Sequence, residues 1–169
     1  MKPVLLLLRT TSADAAFRAL VGLLDADLRR RDGDDHTFYA QFNKVDLIQH
    51  VVVVCAPDGT AVGCGAFRAF AHEARAVEIK RMFVRPEYRG RGIATAVLRE
   101  LEVWAATEGY RTTVLETGQN QPEALALYAK AGYARIANYP PYQDTPNSVC
   151  MRKEMGSAPD TGASAGRGE

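Results

Sequence analysis

The stretch "RPEYRGRGIATAVL", residues 85–98, places two glycines and three arginines immediately before a segment with helical spacing of apolar residues. The first backbone N–H groups of a helix have no intrahelical acceptor, and the helix dipole favours an anion beside them. Gly90 and Gly92 carry no side chain that would keep a phosphate away, and Arg89 and Arg91 add positive charge. The stretch therefore predicts a pyrophosphate site at a helix start. The alternative is a glycine-rich turn whose arginines face solvent.

Two common phosphate-binding motifs do not fit this stretch. A Walker loop ends in Gly-Lys-Ser/Thr, and no lysine is present in residues 85–98. A dinucleotide fingerprint needs a third glycine, where this chain has Thr95, and it follows the first strand of its fold. Here the stretch follows what we predict to be the fourth strand. Both motifs are set aside on these grounds.

The rest of the chain alternates strand and helix patterns. Ser12 or Asp14 can cap a first helix, Gly109 suits the end of the second, and Pro122 and Gly132 suit the start and end of the third. Strands are predicted from β-branched or alternating apolar segments at 3–9, 47–55, 60–70, 76–84, 111–118, 133–139 and 148–155. The pattern predicts a mixed α/β (α+β) fold, with one central sheet of about six to seven strands flanked by helices.

The predicted strand "AVEIKRMFV", residues 76–84, has an unusual distribution of charge. Strict alternation puts Val77, Ile79, Arg81 and Phe83 on one face, and Glu78, Lys80 and Met82 on the other. A charged residue on each face of a central strand is odd for pure packing. We therefore expect part of this strand to line a cleft.

Composition limits the classes of protein that need to be considered. The chain has 169 residues, of which 47% are hydrophobic, and a formal net charge of +1. The length predicts one domain over residues 1–155, and residues 156–169 are expected to form a flexible tail. The near-neutral charge argues against a nucleic-acid binder. The basic run at 29–31, followed by acidic residues, is interpreted as a solvated helix end. Three widely spaced cysteines indicate neither a metal site nor disulfides. The apolar start is too short to span a membrane, so a cytoplasmic protein is expected.

The pattern Arg89-x-x-Gly92-x-Ala94, between a strand and a long helix, resembles the acyl-CoA signature of the GNAT N-acetyltransferase superfamily. The segment "LETGQNQPEALALYAKAGYARI", residues 115–136, is similar to the strand, asparagine, tyrosine-bearing helix and Gly-Tyr pair that the family places next. The resemblance covers about residues 45–155. It implies the GNAT fold, acetyl-CoA as co-substrate and no metal.

The resemblance also implies roles for particular residues. The cofactor pyrophosphate would lie on Arg89, Gly90, Arg91, Gly92, Ile93 and Ala94, and its pantetheine along the backbone of Met82, Phe83 and Val84. Asn120 either bonds the pantetheine or caps the next helix. Tyr128 is placed to protonate the departing thiolate, the alternative being a core aromatic residue.

The base and the acceptor site are less specified. Glu78 could take the amine proton through a water, and Glu116 is a second candidate, or could hold a cationic substrate; an amine that arrives neutral needs neither. Tyr139 and Tyr142, in the loop between the last two strands, either form a wall of the acceptor pocket or belong to a turn. Weaker acceptor candidates on the other side are His36, Tyr39 and Gln41.

These inferences predict an acetyl-CoA-dependent N-acetyltransferase that moves an acetyl group directly to a primary amine of a small molecule or peptide. The alternative is a non-catalytic acyl-CoA-binding sensor on the same fold. Members of the resembled family often form dimers, so a homodimer is compatible with this interpretation. Neither a nucleic acid nor a membrane is expected as a partner.

Overall fold

The computed structural model describes residues 4–33 and 47–156. Within these residues, seven strands form one sheet in the order β1-β2-β3-β4-β5-β7-β6. The strands are β1 (Leu6–Thr10), β2 (His50–Cys55), β3 (Ala61–Ala69), β4 (Ala76–Val84), β5 (Thr112–Gly118), β6 (Ala134–Ile136) and β7 (Ser148–Glu154). The helices are α1 (Ala15–Asp32), α2 (Ile93–Thr107) and α3 (Pro122–Lys130). The predicted mixed sheet with flanking helices is confirmed.

Local signals place the helix ends. The Asp14 carboxylate accepts a hydrogen bond from the Phe17 N–H at 3.0 Å and caps α1. Pro122 occupies the first turn of α3, and Gly109 and Gly132 adopt φ of 95° and 98° just past the ends of α2 and α3. Left-handed backbone favours glycine at such positions. These four features follow the sequence-based prediction.

Strand β6 is shorter than predicted, because Asn138 leaves the sheet. Its side-chain amide donates to the carbonyl oxygens of Tyr142, Thr145 and Ser148, at 3.2, 3.3 and 3.0 Å. Its carbonyl oxygen accepts from the Cys150 N–H at 3.3 Å. An asparagine side chain thus organises the loop before β7 and replaces the expected ladder beyond Ile136. The first strand also begins later than expected, at Leu6.

Helices cover both faces of the sheet. Helices α2 and α3 pack on one face through a core that includes Val97, Leu101 and Tyr128. Helix α1 packs on the other through Phe17, Leu20 and further apolar residues of its buried stripe. None of the described helices is long and apolar enough to cross a bilayer.

The central strands β4 and β5 run parallel but stay paired for a short distance only. Their register joins Ala76 to Thr112, Val77 to Thr113 and Glu78 to Val114. Beyond Glu78, β4 keeps its pairing with β3, and β5 keeps its pairing with β7. The sheet therefore splits into two halves that open a wedge between β4 and β5.

A β-bulge changes the faces of β4. The β3–β4 register shifts between Cys64 and Ala66, and Arg81 adopts φ of 58°. As a result, Met82 packs with Val77 on the α2 face, while Phe83 packs with the α1 face. The strict alternation expected from sequence is therefore wrong beyond Lys80, because a bulge inserts one extra residue and inverts the pattern after it.

Gly65 lies on β3 opposite this bulge and leaves no room for a side chain. A Cβ at this position would lie 2.5 Å from the Met82 sulfur, 2.8 Å from a Val97 methyl carbon and 2.9 Å from a Leu101 methyl carbon. The missing Cβ lets α2 approach the sheet closely. Gly65 thereby couples the packing of α2 to the bulge in β4.

We expect Gly65→Ala to lower the free energy of unfolding by about 1–3 kcal/mol, the usual cost of overpacking a core. Denaturant titration measures it. Gly22→Ala is the matched control, because a Cβ there meets nothing within 4 Å in the middle of α1. That control should stabilise by about 0.5–1 kcal/mol, since alanine favours a helix. Equal stability changes in the two variants would contradict the packing argument.

Candidate active site

The wedge between β4 and β5 forms a cavity of about 400 Å³. Its floor consists of β4 from Ile79 to Val84 and of β5 from Glu116 to Gly118. One face of α1, the turn before α2 and one face of α3 complete the walls. The cavity thus joins the glycine-rich turn to the divergent edges of the two strands.

The turn before α2 has the geometry of an anion site. Gly90 and Gly92 adopt φ of 77° and 78°, and a Cβ on either would point into open space. Gly92 is the N-cap of α2, and the first helical hydrogen bond runs from the Ala96 N–H to the Gly92 carbonyl oxygen at 3.0 Å. The N–H groups of Ile93, Ala94 and Thr95 precede that bond, and all three residues line the cavity.

The two arginines of the turn differ in position. Arg89 lines the cavity, donates from Nε to the Val84 carbonyl oxygen at 3.0 Å and lies over the Phe83 ring. Arg91 is not among the lining residues; its guanidinium lies 5.1 Å from the centre of the Tyr88 ring. Arg89 is therefore the better placed of the two to meet an anion inside the cavity.

Tyr128 lines the cavity from α3 and is 6% exposed. Its ring packs edge-on against Tyr133, with centroids 5.8 Å apart. Among the described residues, no hydrogen-bond partner is found for its hydroxyl. Burial, followed by the nearby charge of Glu116, raises the pKa of Tyr128 well above that of an ordinary phenol. The hydroxyl therefore stays protonated in the ordinary pH range and is able to donate.

The two candidate carboxylates occupy different places. Glu116 lines the cavity; burial raises the pKa of both Tyr128 and Tyr142, and the charge of Glu116 raises both further. Glu78 is 5% exposed and is not among the residues that line the cavity. Its carboxylate accepts hydrogen bonds from Arg68, at 3.2 Å, and from the Tyr139 hydroxyl, at 3.0 Å.

Tyr139 and Tyr142 are buried and do not line the cavity. Their rings pack edge-on with centroids 5.8 Å apart. The Tyr139 hydroxyl donates to Glu78, and the Tyr142 hydroxyl accepts from the Lys80 ammonium at 3.4 Å. The loop between β6 and β7 therefore bonds the charged side chains of Glu78 and Lys80 on β4.

Asn120 also lies outside the cavity lining. The N-cap of α3 is Gln121, and among the described residues no side-chain hydrogen bond caps that helix end. The helix-capping alternative for Asn120 is therefore wrong, while its neighbour Gln121 lines the cavity. The candidates His36, Tyr39 and Gln41 lie outside the described residues.

A chain of charges across the cavity mouth escaped the sequence analysis. Arg31 on α1 bonds Asp27 on the same helix and Glu123 on α3, and Arg89 approaches Asp27 at 3.8 Å. All four residues line the cavity. The interpretation of 29–31 as a solvated helix end is thus wrong for Arg31. The signal was present, because Leu24, 27, 28 and 31 follow helical spacing on one face of α1.

Comparison with known proteins agrees with this architecture. The family model of the acetyltransferase (GNAT) family matches residues 17–133. The chain therefore belongs to the GNAT acetyltransferase family, whose members use acetyl-CoA. It is an acetyltransferase, and the resemblance seen in residues 85–136 is confirmed.

Two relatives match over about two thirds of their own length. An IAA acetyltransferase of Azospirillum brasilense is 40% identical over 103 residues, which are 61% of this chain and 67% of that protein. An uncharacterized N-acetyltransferase of Schizosaccharomyces pombe is 34% identical over 108 residues, 63% of this chain and 65% of that protein.

Solved structures share the fold. One from Klebsiella pneumoniae, named as an acyl-CoA N-acyltransferase, has a TM-score of 0.75 and 32% identity, and the match covers 90% of this chain and 99% of that one. N-acetylglutamate synthase of Neisseria gonorrhoeae, in complex with coenzyme A and N-acetyl-glutamate, has a TM-score of 0.66 at 16% identity. That match covers 92% of this chain and 36% of the other.

Proposed function

We propose that this chain transfers an acetyl group from acetyl-CoA directly to a primary amine of a small molecule or peptide. The observation that carries the proposal is Tyr128. Its buried hydroxyl has no hydrogen-bond partner among the described residues and belongs to the same cavity as the glycine turn. A protonated phenol in a cavity with an anion site matches what thioester aminolysis requires, a proton donor for the departing thiolate.

The cofactor fits the residues that are present. Gly90 and Gly92 leave open space where a side chain would otherwise project, so a pyrophosphate can approach the N–H groups of Ile93 and Ala94. Arg89 supplies a charge-assisted contact inside the cavity, and Arg91 supplies one from outside it. The turn thus offers both the space and the charge that two phosphates require.

The open edge of β4 suits the pantetheine arm. Among the described strands, β5 no longer pairs with β4 beyond Glu78. Backbone groups of Met82, Phe83 and Val84 therefore have no strand partner on that side, and those other than the Val84 carbonyl oxygen, which accepts from Arg89, are available to a ligand in the wedge. This arrangement would direct the thioester toward Tyr128.

The transfer then needs few groups from the protein. The acceptor nitrogen forms a bond with the acetyl carbon while the carbon–sulfur bond breaks. Tyr128 donates its proton to the sulfur as the thiolate leaves. Glu116, which lines the cavity, takes the proton of the amine directly or through one water. That proton then passes to Tyr128, which restores the tyrosine hydroxyl and the carboxylate. An acceptor that arrives as the neutral amine needs this help only after the new bond has formed.

We propose that Glu78 positions other side chains and does not itself contact the reacting atoms. Its carboxylate is held by Arg68 and Tyr139, and it lies 3.9 Å from the Lys80 ammonium. It therefore positions Lys80 and the tyrosine loop in this proposal, while Glu116 is the carboxylate that meets the acceptor.

The proposal is tested by titrating acetyl-CoA in a calorimeter and then assaying free thiol with a panel of amines, amino acids and peptides. We expect binding, with thiol release for one class of acceptor. Binding without thiol release from any acceptor would favour a sensor over a catalyst. An absence of binding would contradict the assignment of the glycine turn.

A further inference from the structure

Lys80 places a buried amino group on the floor of the cavity. Burial lowers the pKa of this group, and the nearby Glu78 carboxylate opposes that shift and favours the charged ammonium form. The Lys80 side chain is 8% exposed, and it is one of the residues that line the cavity. Removing an ammonium group from water is costly unless close partners replace the lost hydration. If close partners within the protein bond the lysine fully, its role is structural. If they do not, the lysine is able to bind a ligand.

Those partners lie at long distances. The Lys80 nitrogen is 3.4 Å from the Tyr142 hydroxyl and 3.9 Å from the nearer oxygen of Glu78. Ordinary N–H···O hydrogen bonds measure about 2.7–3.2 Å. An ammonium group has three donors, and among the described residues it makes this one long hydrogen bond. The buried Lys80 ammonium therefore has hydrogen-bond donors left for a ligand.

Glu78 is already engaged by other groups. Its first oxygen accepts two contacts from the Arg68 guanidinium, each at 3.2 Å, and its second accepts from the Tyr139 hydroxyl at 3.0 Å. This carboxylate is fixed in place by these bonds. It therefore neutralises part of the Lys80 charge without meeting it at hydrogen-bond distance.

The other cations of the cavity are bonded more closely. Arg31 and Arg81 each bond a carboxylate, and Arg89 donates to a backbone carbonyl oxygen. Within residues 4–33 and 47–156, Lys80 is thus the lining cation with the weakest direct contacts. Of these lining cations, Lys80 keeps the most unused donor capacity for a small anionic group.

We infer that Lys80 binds a carboxylate of the acceptor, so that the acceptor is an α-amino acid and not a simple amine. The inference rests on the proposed function above, because it names the acceptor of that transfer. Lys80 on β4 and Glu116 on the neighbouring strand β5 both line this cavity. They present opposite charges to the two ends of a zwitterion.

The experiment compares each of the common α-amino acids with its carboxamide as acceptor, at saturating acetyl-CoA. The carboxamide keeps the amine and the side chain and removes the charge that Lys80 would bind. For the preferred side chain, we expect kcat/KM to be about tenfold to a hundredfold higher with the carboxylate, the scale of one hydrogen bond to a charged group.

The variant Lys80→Met tests whether the lysine causes the preference for carboxylates over carboxamides. We expect the carboxylate preference to fall to near unity, because the variant removes the charge that the carboxylate would meet and the carboxamide carries no such charge. Glu78 keeps Arg68 and Tyr139, so the variant should fold. Lys130→Met, an exposed change at the end of α3, should keep the wild-type preference.

Each outcome has a distinct meaning. Thiol release that is equal for carboxylates and carboxamides would overturn the inference and leave the proposed function standing. A carboxylate preference that survives Lys80→Met would also overturn it, because another group would then bind the carboxylate. Acetyl-CoA binding with no thiol release from any acceptor would overturn the proposed function and this inference with it.

Discussion

Gly92→Glu is expected to weaken acetyl-CoA binding by at least about a hundredfold in isothermal titration. Gly92 is the N-cap of α2, and a side chain there would project into the space beside the helix N-terminus. A glutamate would put a negative charge where the cofactor phosphates lie and would compete for the same N–H groups. Hydrogen bonds to charged groups contribute about 1.5–3 kcal/mol each, so the loss of two accounts for the expected change.

The backbone of Gly92 calls for a control, because its φ of 78° strains any L-residue. Gly59→Glu provides it. Gly59 lies in the turn between β2 and β3 with φ of 89°, has open space around its Cβ position and does not line the cavity. We expect a comparable loss of stability in both variants, but unchanged affinity in Gly59→Glu. Equal losses of affinity would mean that strain, and not the site, causes the effect. Full affinity in a folded Gly92→Glu protein would refute the assignment.

Local chemistry explains why so much of the fold was predictable. Asp14, Pro122 and Gly132 act within one helical turn, so the helix ends that they predict do not depend on the rest of the chain. The same holds for the glycine turn at 90–92, whose anion site consists of backbone groups adjacent in sequence. A site made of neighbouring N–H groups is visible in sequence in a way that a site made of distant side chains is not.

The features that sequence failed to predict depend on pairing between distant segments. The bulge at Arg81 arises where β4 meets Gly65 of β3, so alternation within 76–84 alone could not reveal it. The charge chain at the cavity mouth requires α1 to approach α3, which brings Arg31 to Glu123. Likewise, Glu78 is engaged by Tyr139, a residue far along the chain. In each case, a contact between segments distant in sequence determines the structure, and the local sequence pattern does not contain that information.

Removing the buried Tyr128 hydroxyl should lower the rate of catalysis more than the stability of the fold. We expect Tyr128→Phe to lower kcat by at least about tenfold, within the range for a lost general acid, with the KM for acetyl-CoA little changed. Burial keeps the phenol protonated, since the pKa of a buried tyrosine is raised. The group therefore donates below its raised pKa, and its contribution to kcat should not decline through the pH range in which an ordinary phenol ionises. Steady-state kinetics from pH 7 to about 10 measure both effects.

Tyr133→Phe is the matched control for that variant. The Tyr133 hydroxyl accepts from Thr113 and donates to Glu102, each at 2.9 Å, and Tyr133 packs against Tyr128 without lining the cavity. Loss of this hydroxyl should cost about 1 kcal/mol of unfolding free energy and leave kcat near that of the wild type. Tyr128→Phe should show the reverse, because among the described residues its hydroxyl bonds no partner. A normal kcat in Tyr128→Phe, with chemistry shown to be rate-limiting, would remove Tyr128 from the mechanism and leave Glu116 as the proposed proton-transfer group.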